Sequence, residues 1–240
     1  MNQKRLFKLD NRLIACTKFI KRNSKIADIG SDHAYLPIWL IKNNIIDYAI
    51  ASDVREGPLL NAKKNIEKYH LSQKIETRLS DGLQNIKSSE ADTIVIAGMG
   101  GEIISKIIKD ANWLKNTNKN IILQPMSQDE YLRNFLLTEN FQIIDEIIAS
   151  SHEKIYSVMN VKFSKDKIYV DTLYPYIGKI KPTHTNEFNV YINQKIGKLK
   201  NKILGLKNQK NISKYEELFN IIKKLENCLE NKMEGETELW

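Results

Sequence analysis

Apolar positions recur along this chain in two alternating rhythms. Leu6, Leu9, Leu13, Ile14 and Phe19 are spaced as on one face of a helix, which predicts an amphipathic helix within residues 4–21. A short apolar run follows, KIADIG at 25–30, and reads as a buried strand that ends at a glycine. Residues 34–44 read as a helix with Pro37 in its first turn, where a missing N–H costs little. The same alternation continues. Strands are predicted at 48–53, 74–81, 91–101 and 120–125, and helices at 56–70, 102–111 and 127–140. Residues 141–150 and 154–163 read as two closing strands separated only by Ser151–Glu153. A parallel crossover needs a dozen or more residues, so this last pair must be antiparallel.

Strand and helix alternating through short connections is the signature of a doubly wound α/β fold. The pattern predicts a mostly parallel seven-stranded sheet closed by an antiparallel hairpin. After residue 165 the alternation stops. Phe188, Ile192, Ile196, Leu199, Ile203 and Leu206 recur at three- and four-residue steps, as do Tyr215, Phe219, Ile222, Leu225 and Leu229. Lys207–Ser213 between them is polar and lacks periodicity. Two long antiparallel helices are expected. The chain thus divides into an α/β domain at 1–165 and a helical C-terminal hairpin or coiled-coil domain at 166–240.

Composition narrows the class. With 42% hydrophobic and 28% charged residues the chain is a folded globular protein rather than a disordered one. No apolar run approaches the roughly 20 residues that span a bilayer, and no membrane association is expected. The basic N-terminus is interrupted by Lys8, Asp10, Asn11 and Arg12, unlike the continuous apolar stretch of a signal peptide. Cys16 and Cys228 are the only cysteines, which excludes a disulfide framework and fits a reducing cytoplasm. His33, His70, His152 and His184 share no ligand spacing, so no metal is expected.

The net charge of +8 is unevenly spread. Residues 1–25 carry +7 and residues 179–214 carry +8, while 26–178 carry −3 and 215–240 carry −4. Basic segments flanking an acidic middle suit a catalytic body with appendages for a polyanion. Charge runs of this kind are more often simply solvated helix faces, and the acidic second helix must use some of this charge internally.

The strand ends carry the chemistry, because open α/β sheets bind ligands at the carboxyl ends of their strands. The first strand ends in Asp28-Ile29-Gly30-Ser31-Asp32-His33, the second in Asp53 and the third in Asp81-Gly82. The fourth ends in Ala97-Gly98-Met99-Gly100-Gly101 and the fifth in Gln124-Pro125. One such carboxylate is an ordinary helix cap; three in register, the first beside a glycine turn, point to a ligand. An acidic residue ending the second strand accepts ribose hydroxyls in nucleoside cofactors. Asp81 and the Gly82 backbone are placed for an adenine edge, and Asp28 for a cationic amine or an ordered water. A dinucleotide site needs G-x-G-x-x-G to seat a pyrophosphate. Here the stretch is G-S-D-H-A-Y, and Asp32 would repel a phosphate. A cofactor without phosphates and with cationic groups fits better, as in S-adenosyl-L-methionine.

The stretches ADIGSDHAYLP (27–37), SDV (52–54) with its downstream GPL, SDGL (80–83), IAGMGG (96–101) and LQP (123–125) resemble the TrmK family. These are bacterial tRNA (adenine-N1)-methyltransferases acting at position 22 in the D arm. The resemblance runs from about Arg5 to Phe163 in detail and more loosely over the helical C-terminus. It departs at Gly178-Lys179, where Gly-Pro is expected. It implies a class I, Rossmann-like methyltransferase fold. Asp28, Gly30, Ser31, Asp32 and His33 would line the methionine side of the cofactor, Asp53 and Val54 its ribose, and Asp81 and Gly82 its adenine. Ala97 to Gly101 would face the transferring methyl and the target base.

Many base N-methyltransferases place an Asn or Asp and an aromatic ring after the fourth strand. Here that place holds Ala-Gly-Met-Gly, with neither. This fits a ring nitrogen, whose in-plane lone pair needs no base to expose it, so alignment can carry the reaction. Asp32, Gly98 and Met99 are the expected catalytic positions, Asp32 through its charge beside a product ring that becomes cationic. Tyr35 and Trp39 read as core. The adenine must leave its helix to be reached. Arg5, Lys8, Arg12, Lys195, Lys198 and Lys202, with Gly100 and Gly101 at the loop, are the expected tRNA contacts. Methylation of another RNA, a small molecule or a protein stays open, as does a non-catalytic RNA-binding role. Oligomeric state is open, with a monomer favoured.

Overall fold

Why the strands lie where they do follows from their side chains. In the computed structural model, which describes residues 7–152, 154–183, 185–207 and 212–230, four strands are almost wholly apolar. These are β1 (Ile26–Ile29), β2 (Ala49–Asp53), β4 (Thr93–Gly100) and β5 (Asn120–Ser127). Strands buried on both faces read as continuous apolar runs, and every residue of β1 and β2 is buried. With β3 (Ile75–Leu79), β6 (Phe141–Ser151) and β7 (Lys154–Phe163) they form one seven-stranded sheet, ordered β3-β2-β1-β4-β5-β7-β6. β7 runs antiparallel to both β5 and β6, and the other pairings are parallel.

Alternate side chains go to opposite faces of the sheet. Ala27, Ile29, Ile94, Ile96, Ile121 and Leu123 pack under α4 (Gly101–Asp110) and α5 (Asp129–Thr138). Ile26, Val95 and Ile122 pack on the other face under α1 (Asn11–Thr17), α2 (Tyr35–Lys42) and α3 (Glu56–Lys68). Helix α1 is shorter than the predicted 4–21. The Asp10 side chain accepts from the Arg12 backbone N–H at 2.8 Å and starts the helix there. It ends in tight bonds from Lys18 and Phe19 back to Ala15 and Cys16.

The helical region comprises α6 (Tyr174–Ile177), α7 (Asn186–Lys207) and α8 (Ile212–Glu230), the last two being the expected hairpin. They share a third apolar cluster containing Phe188, Ile192, Ile196, Leu199 and Ile203. The stripe on α8 is corrected in part. Phe219 is 41% exposed, whereas Leu218 and Ile221 are buried beside Ile222 and Leu225. The spacing of α8 allows either face, and its packing on α7 decides between them. Among the described residues no helix is long and apolar enough to cross a membrane.

This region is fastened to the sheet by buried charge. Arg133 of α5 is fully buried and donates to Glu146 of β6 at 2.6 Å and to Asp129 at 3.2 Å. It also donates to the backbone carbonyls of Pro175 and Tyr176 and to the Tyr191 hydroxyl. Lys195 and Tyr191 of α7 both donate to Asp129. Gly178 passes beside this cluster at φ +59°, where an added Cβ would lie 1.9 Å from Glu146 Oε2. The next backbone N–H, from Lys179, donates to that oxygen at 3.0 Å. A proline at 179 would lack that donor, which gives the departure from Gly-Pro a structural consequence.

Candidate active site

The order of the sheet reverses beside β1, which has β2 on one side and β4 on the other. Ligands bind in α/β sheets at such switch points. A cavity of about 540 Å³ opens there, at the carboxyl ends of β1, β2, β3 and β4. That lies within the range of roughly 300–1,000 Å³ usual for small-ligand sites.

The turn after β1 is built to hold its shape. Gly30 has φ +76°, and a Cβ there would meet the Met99 methyl at 2.2 Å. The N–H groups of Gly30 and Ser31 both donate to the Ser52 carbonyl at 2.8 Å, tying the turn to the end of β2. Beneath it Asp28 is buried and accepts from the Ser31 hydroxyl at 2.5 Å. Burial pushes the Asp28 carboxyl up to about 6, although the Ser31 hydrogen bond works the other way.

Asp53 is nearly buried, and its Oδ1 accepts from the Arg55 N–H at 3.0 Å. Gly82, at φ +55°, sits against Ile107 of α4. Among the described residues, Asp32, Asp53, Asp81 and Asp110 line the cavity against Arg55 and Lys106 alone, both largely exposed. The cavity is therefore acidic. Val54, Ala97, Gly98 and Met99 complete the expected part of the wall. Asp28, Ser31 and His33 do not line it: the first two are bonded to each other within the turn, and His33 stacks on Tyr35 at 5.0 Å with Nε2 3.4 Å from Asp32. Tyr35 is 42% exposed and is a surface ring, not the core residue expected.

Next to Gly98 lies a second group. The Gly98 N–H donates at 3.0 Å to Gln124 Oε1, and the same oxygen accepts from Arg12 Nη1 at 3.1 Å. Arg12 Nε pairs with Asp10 at 3.0 Å, and its guanidinium lies 5.6 Å from the Tyr156 ring centre.

Two expected RNA contacts are corrected. Lys195 is only 3% exposed and is paired with Asp129 and with Glu130 at 3.5 Å, so it is part of the junction rather than of a surface. Gly101 is buried, and a Cβ on it would lie 2.2 Å from the Gln128 carbonyl; it lets α4 and α5 approach each other. Gly100 is half-buried at the loop. Lys8, Lys198 and Lys202 are exposed, and Arg5 lies outside the described residues.

Comparison with known proteins agrees with this fold. Residues 9–159 match the methyltransferase domain family. The M1A22 tRNA methyltransferase TrmK of B. subtilis, a solved structure, superposes with a TM-score of 0.77 at 30% identity, covering 94% of this chain and 100% of that one. The chain belongs to the TrmK family of methyltransferases. M. capricolum TrmK, solved with the cofactor product S-adenosyl-homocysteine, superposes with a TM-score of 0.72 at 30% identity, covering 94% of this chain and 99% of that one. By sequence, the tRNA (adenine(22)-N(1))-methyltransferase of Bacillus subtilis is 40% identical over 152 residues, 63% of this chain. That alignment spans 64% of the relative's own length.

Sequence reasoning about this TrmK-family chain missed part of its cavity. Ser80, Leu83, Gln84, Ile103, Lys106 and Ile107 also line it. The signal for Ile103 and Lys106 was legible in principle, since both lie in the first turns of the helix after β4. Tyr156, in contrast, sits on β7, which begins at Lys154, 27 positions after β5 ends at Ser127, and nothing local marks it.

Proposed function

We propose that this protein transfers the methyl group of S-adenosyl-L-methionine to N1 of adenine 22 in the D arm of tRNA. The observation that carries this reading is an acidic cavity at the sheet's switch point with no phosphate-seating loop. A sulfonium and an ammonium are favoured beside surplus carboxylates, and a pyrophosphate is not. The crowding of Gly30 by Met99 fits a turn that has no room for a side chain against a ligand.

In this reading Asp53 takes the ribose hydroxyls, with Val54 beside it. Asp81 and the Gly82 backbone take the adenine. Asp28 and Ser31 hold the turn from which Gly30, Asp32 and His33 meet the methionine part. Bound there, the cofactor supplies an electrophilic methyl carbon. Ala97, Gly98 and Met99 align the target against it, and Gly100 borders the substrate side. No side chain of this loop accepts a proton, and adenine N1 requires none, because its lone pair lies free in the ring plane. Asp32, more than half exposed at the cavity, offers charge to a ring that becomes cationic.

Lys8, Arg12, Lys198 and Lys202 serve the RNA. Residues 1–165 act as the catalytic domain and 166–240 as the RNA-contacting one. The protein's setting is the cytoplasm. The names of the relatives support the substrate.

The test is incubation with methyl-labelled S-adenosyl-L-methionine and unmodified tRNA carrying A22, followed by nucleoside mapping. N1-methyladenosine at position 22, lost on changing the base to guanine, is the expected result. Label at another nucleoside would keep the cofactor and overturn the substrate.

A further inference from the structure

Arg12 is a half-buried cation that is aimed and left incomplete. Its Nε is held by Asp10 at 3.0 Å. Asp10 is itself fixed, its other oxygen accepting from the Ser151 hydroxyl at 2.7 Å and its first capping α1. Burial raises the Asp10 carboxyl and those hydrogen bonds, with the Arg12 charge, outweigh it and lower it, so Asp10 stays anionic. Arg12 Nη1 is held by Gln124 Oε1 at 3.1 Å and lies 3.0 Å from the Met126 sulfur. Gln124 cannot turn away: it is fully buried, its oxygen also receives the Gly98 N–H, and its amide donates to the Pro125 carbonyl at 2.9 Å.

Three groups thus fix the guanidinium, and Nη2 has no hydrogen-bond partner among the described residues. The Tyr156 hydroxyl has none either. A guanidinium carries five donors, and holding one rigidly with two of them unused is an arrangement for an acceptor that arrives later. Its position says what that acceptor belongs to. An added Cβ on Gly98 would lie 4.0 Å from Arg12 Nη1, so the guanidinium borders the loop residue that lines the cofactor cavity.

We infer that Arg12 and Tyr156 form the seat of the extruded adenine nucleotide, Arg12 donating from Nη2 to an acceptor on that nucleotide and so setting its approach to the methyl group. This rests on the methyltransferase reading above and refines it: Arg12 is a positioning residue at the reaction centre rather than one of several contacts to the tRNA backbone. It positions without selecting, since adenine and guanine both present an acceptor at N7. Asp10 and Gln124 act through Arg12.

The experiment compares Arg12→Lys and Arg12→Gln with Lys198→Ala in steady-state methylation of A22-containing tRNA across a salt series. Each variant is first checked for unchanged melting and unchanged S-adenosylhomocysteine affinity. For both Arg12 variants kcat is expected to fall about 10- to 100-fold, as misplacement at a reacting centre does. KM for tRNA should stay within about twofold and the salt dependence of binding should match wild type. Neither variant should gain activity on tRNA with G22. Unchanged kcat with a raised KM and a shallower salt slope, the pattern expected of Lys198→Ala, would overturn the inference and return Arg12 to the backbone contacts. A second arm stands apart from turnover: adenosine 5′-monophosphate is titrated onto protein saturated with S-adenosylhomocysteine. Arg12→Gln should weaken that binding about tenfold. Equal affinity of wild type and variant would overturn the seat. An inactive wild type with this difference intact would overturn the tRNA reading and leave the seat standing.

Discussion

Two clusters of carboxylates in this protein are built from the same residue types and do opposite things. At the cavity, among the described residues, Asp32, Asp53, Asp81 and Asp110 face Arg55 and Lys106 alone, which are mostly in solvent. At the junction with the helical region, Asp129 and Glu146 meet Arg133 and Lys195 in direct, largely buried ion pairs. The first is acidic and open; the second is balanced and closed. Burial pushes Asp129 up, but Arg133 and Lys195 outweigh it and hold its carboxyl well below the usual range. Asp28 has no such cation, and burial wins. Surplus charge at an opening is a request for a ligand, whereas matched charge in the interior fixes how two parts of a chain meet.

The comparison breaks most severely at Arg133. Arg133→Ala leaves Glu146 buried and unpaired, which is expected to cost about 3–5 kcal/mol. Urea unfolding would measure it. A loss below about 1 kcal/mol, the range of a surface pair, would mean the junction is not the closed cluster described.

Asp28→Asn should act in the other direction. A folded pKa raised above the unfolded value means the folded protein holds the extra proton, so this group's contribution is full at acid pH and is lost as pH rises through about 6. At neutral pH the ionised, buried Asp28 therefore opposes folding. Replacing it is expected to raise stability by about 2–3 kcal/mol near pH 7 and by little near pH 4. Equal gains at both values would trace the effect to packing instead. The same variant should lose cofactor affinity if the turn that Asp28 holds serves the ligand.

The smallest expected effect separates two lysines one helical turn apart. Lys198→Ala should leave melting and cofactor affinity unchanged, weaken tRNA binding a few-fold and reduce the salt slope by about one. Lys195→Ala should instead lower the melting temperature, because it removes a buried partner of Asp129. Identical behaviour of the two variants would dissolve the distinction between surface and junction.

Lys195 also shows where sequence reading stops. Within the basic stretch of α7 it looks like Lys198 and Lys202, and only its distance in space from Asp129, 66 residues earlier, sets it apart. Phe219 and Leu218 differ for a similar reason, since both lie on plausible apolar faces of α8 and α7 chooses between them. Arg12 was legible as basic but not as a neighbour of Gly98, which lies 86 residues away in sequence and is brought to it through Gln124.

The sequence by itself determined the seven strands, their parallel sense, the closing hairpin and the carboxylates at three strand ends. Those features are local: a short apolar run, a connection too short for a crossover, a glycine turn. Tertiary structure decided which charges are matched and which are left over, which face of α8 is inside, and which distant residues meet beside Gly98. Charge balance and burial depend on every element packed around a group, and no window along the chain contains them.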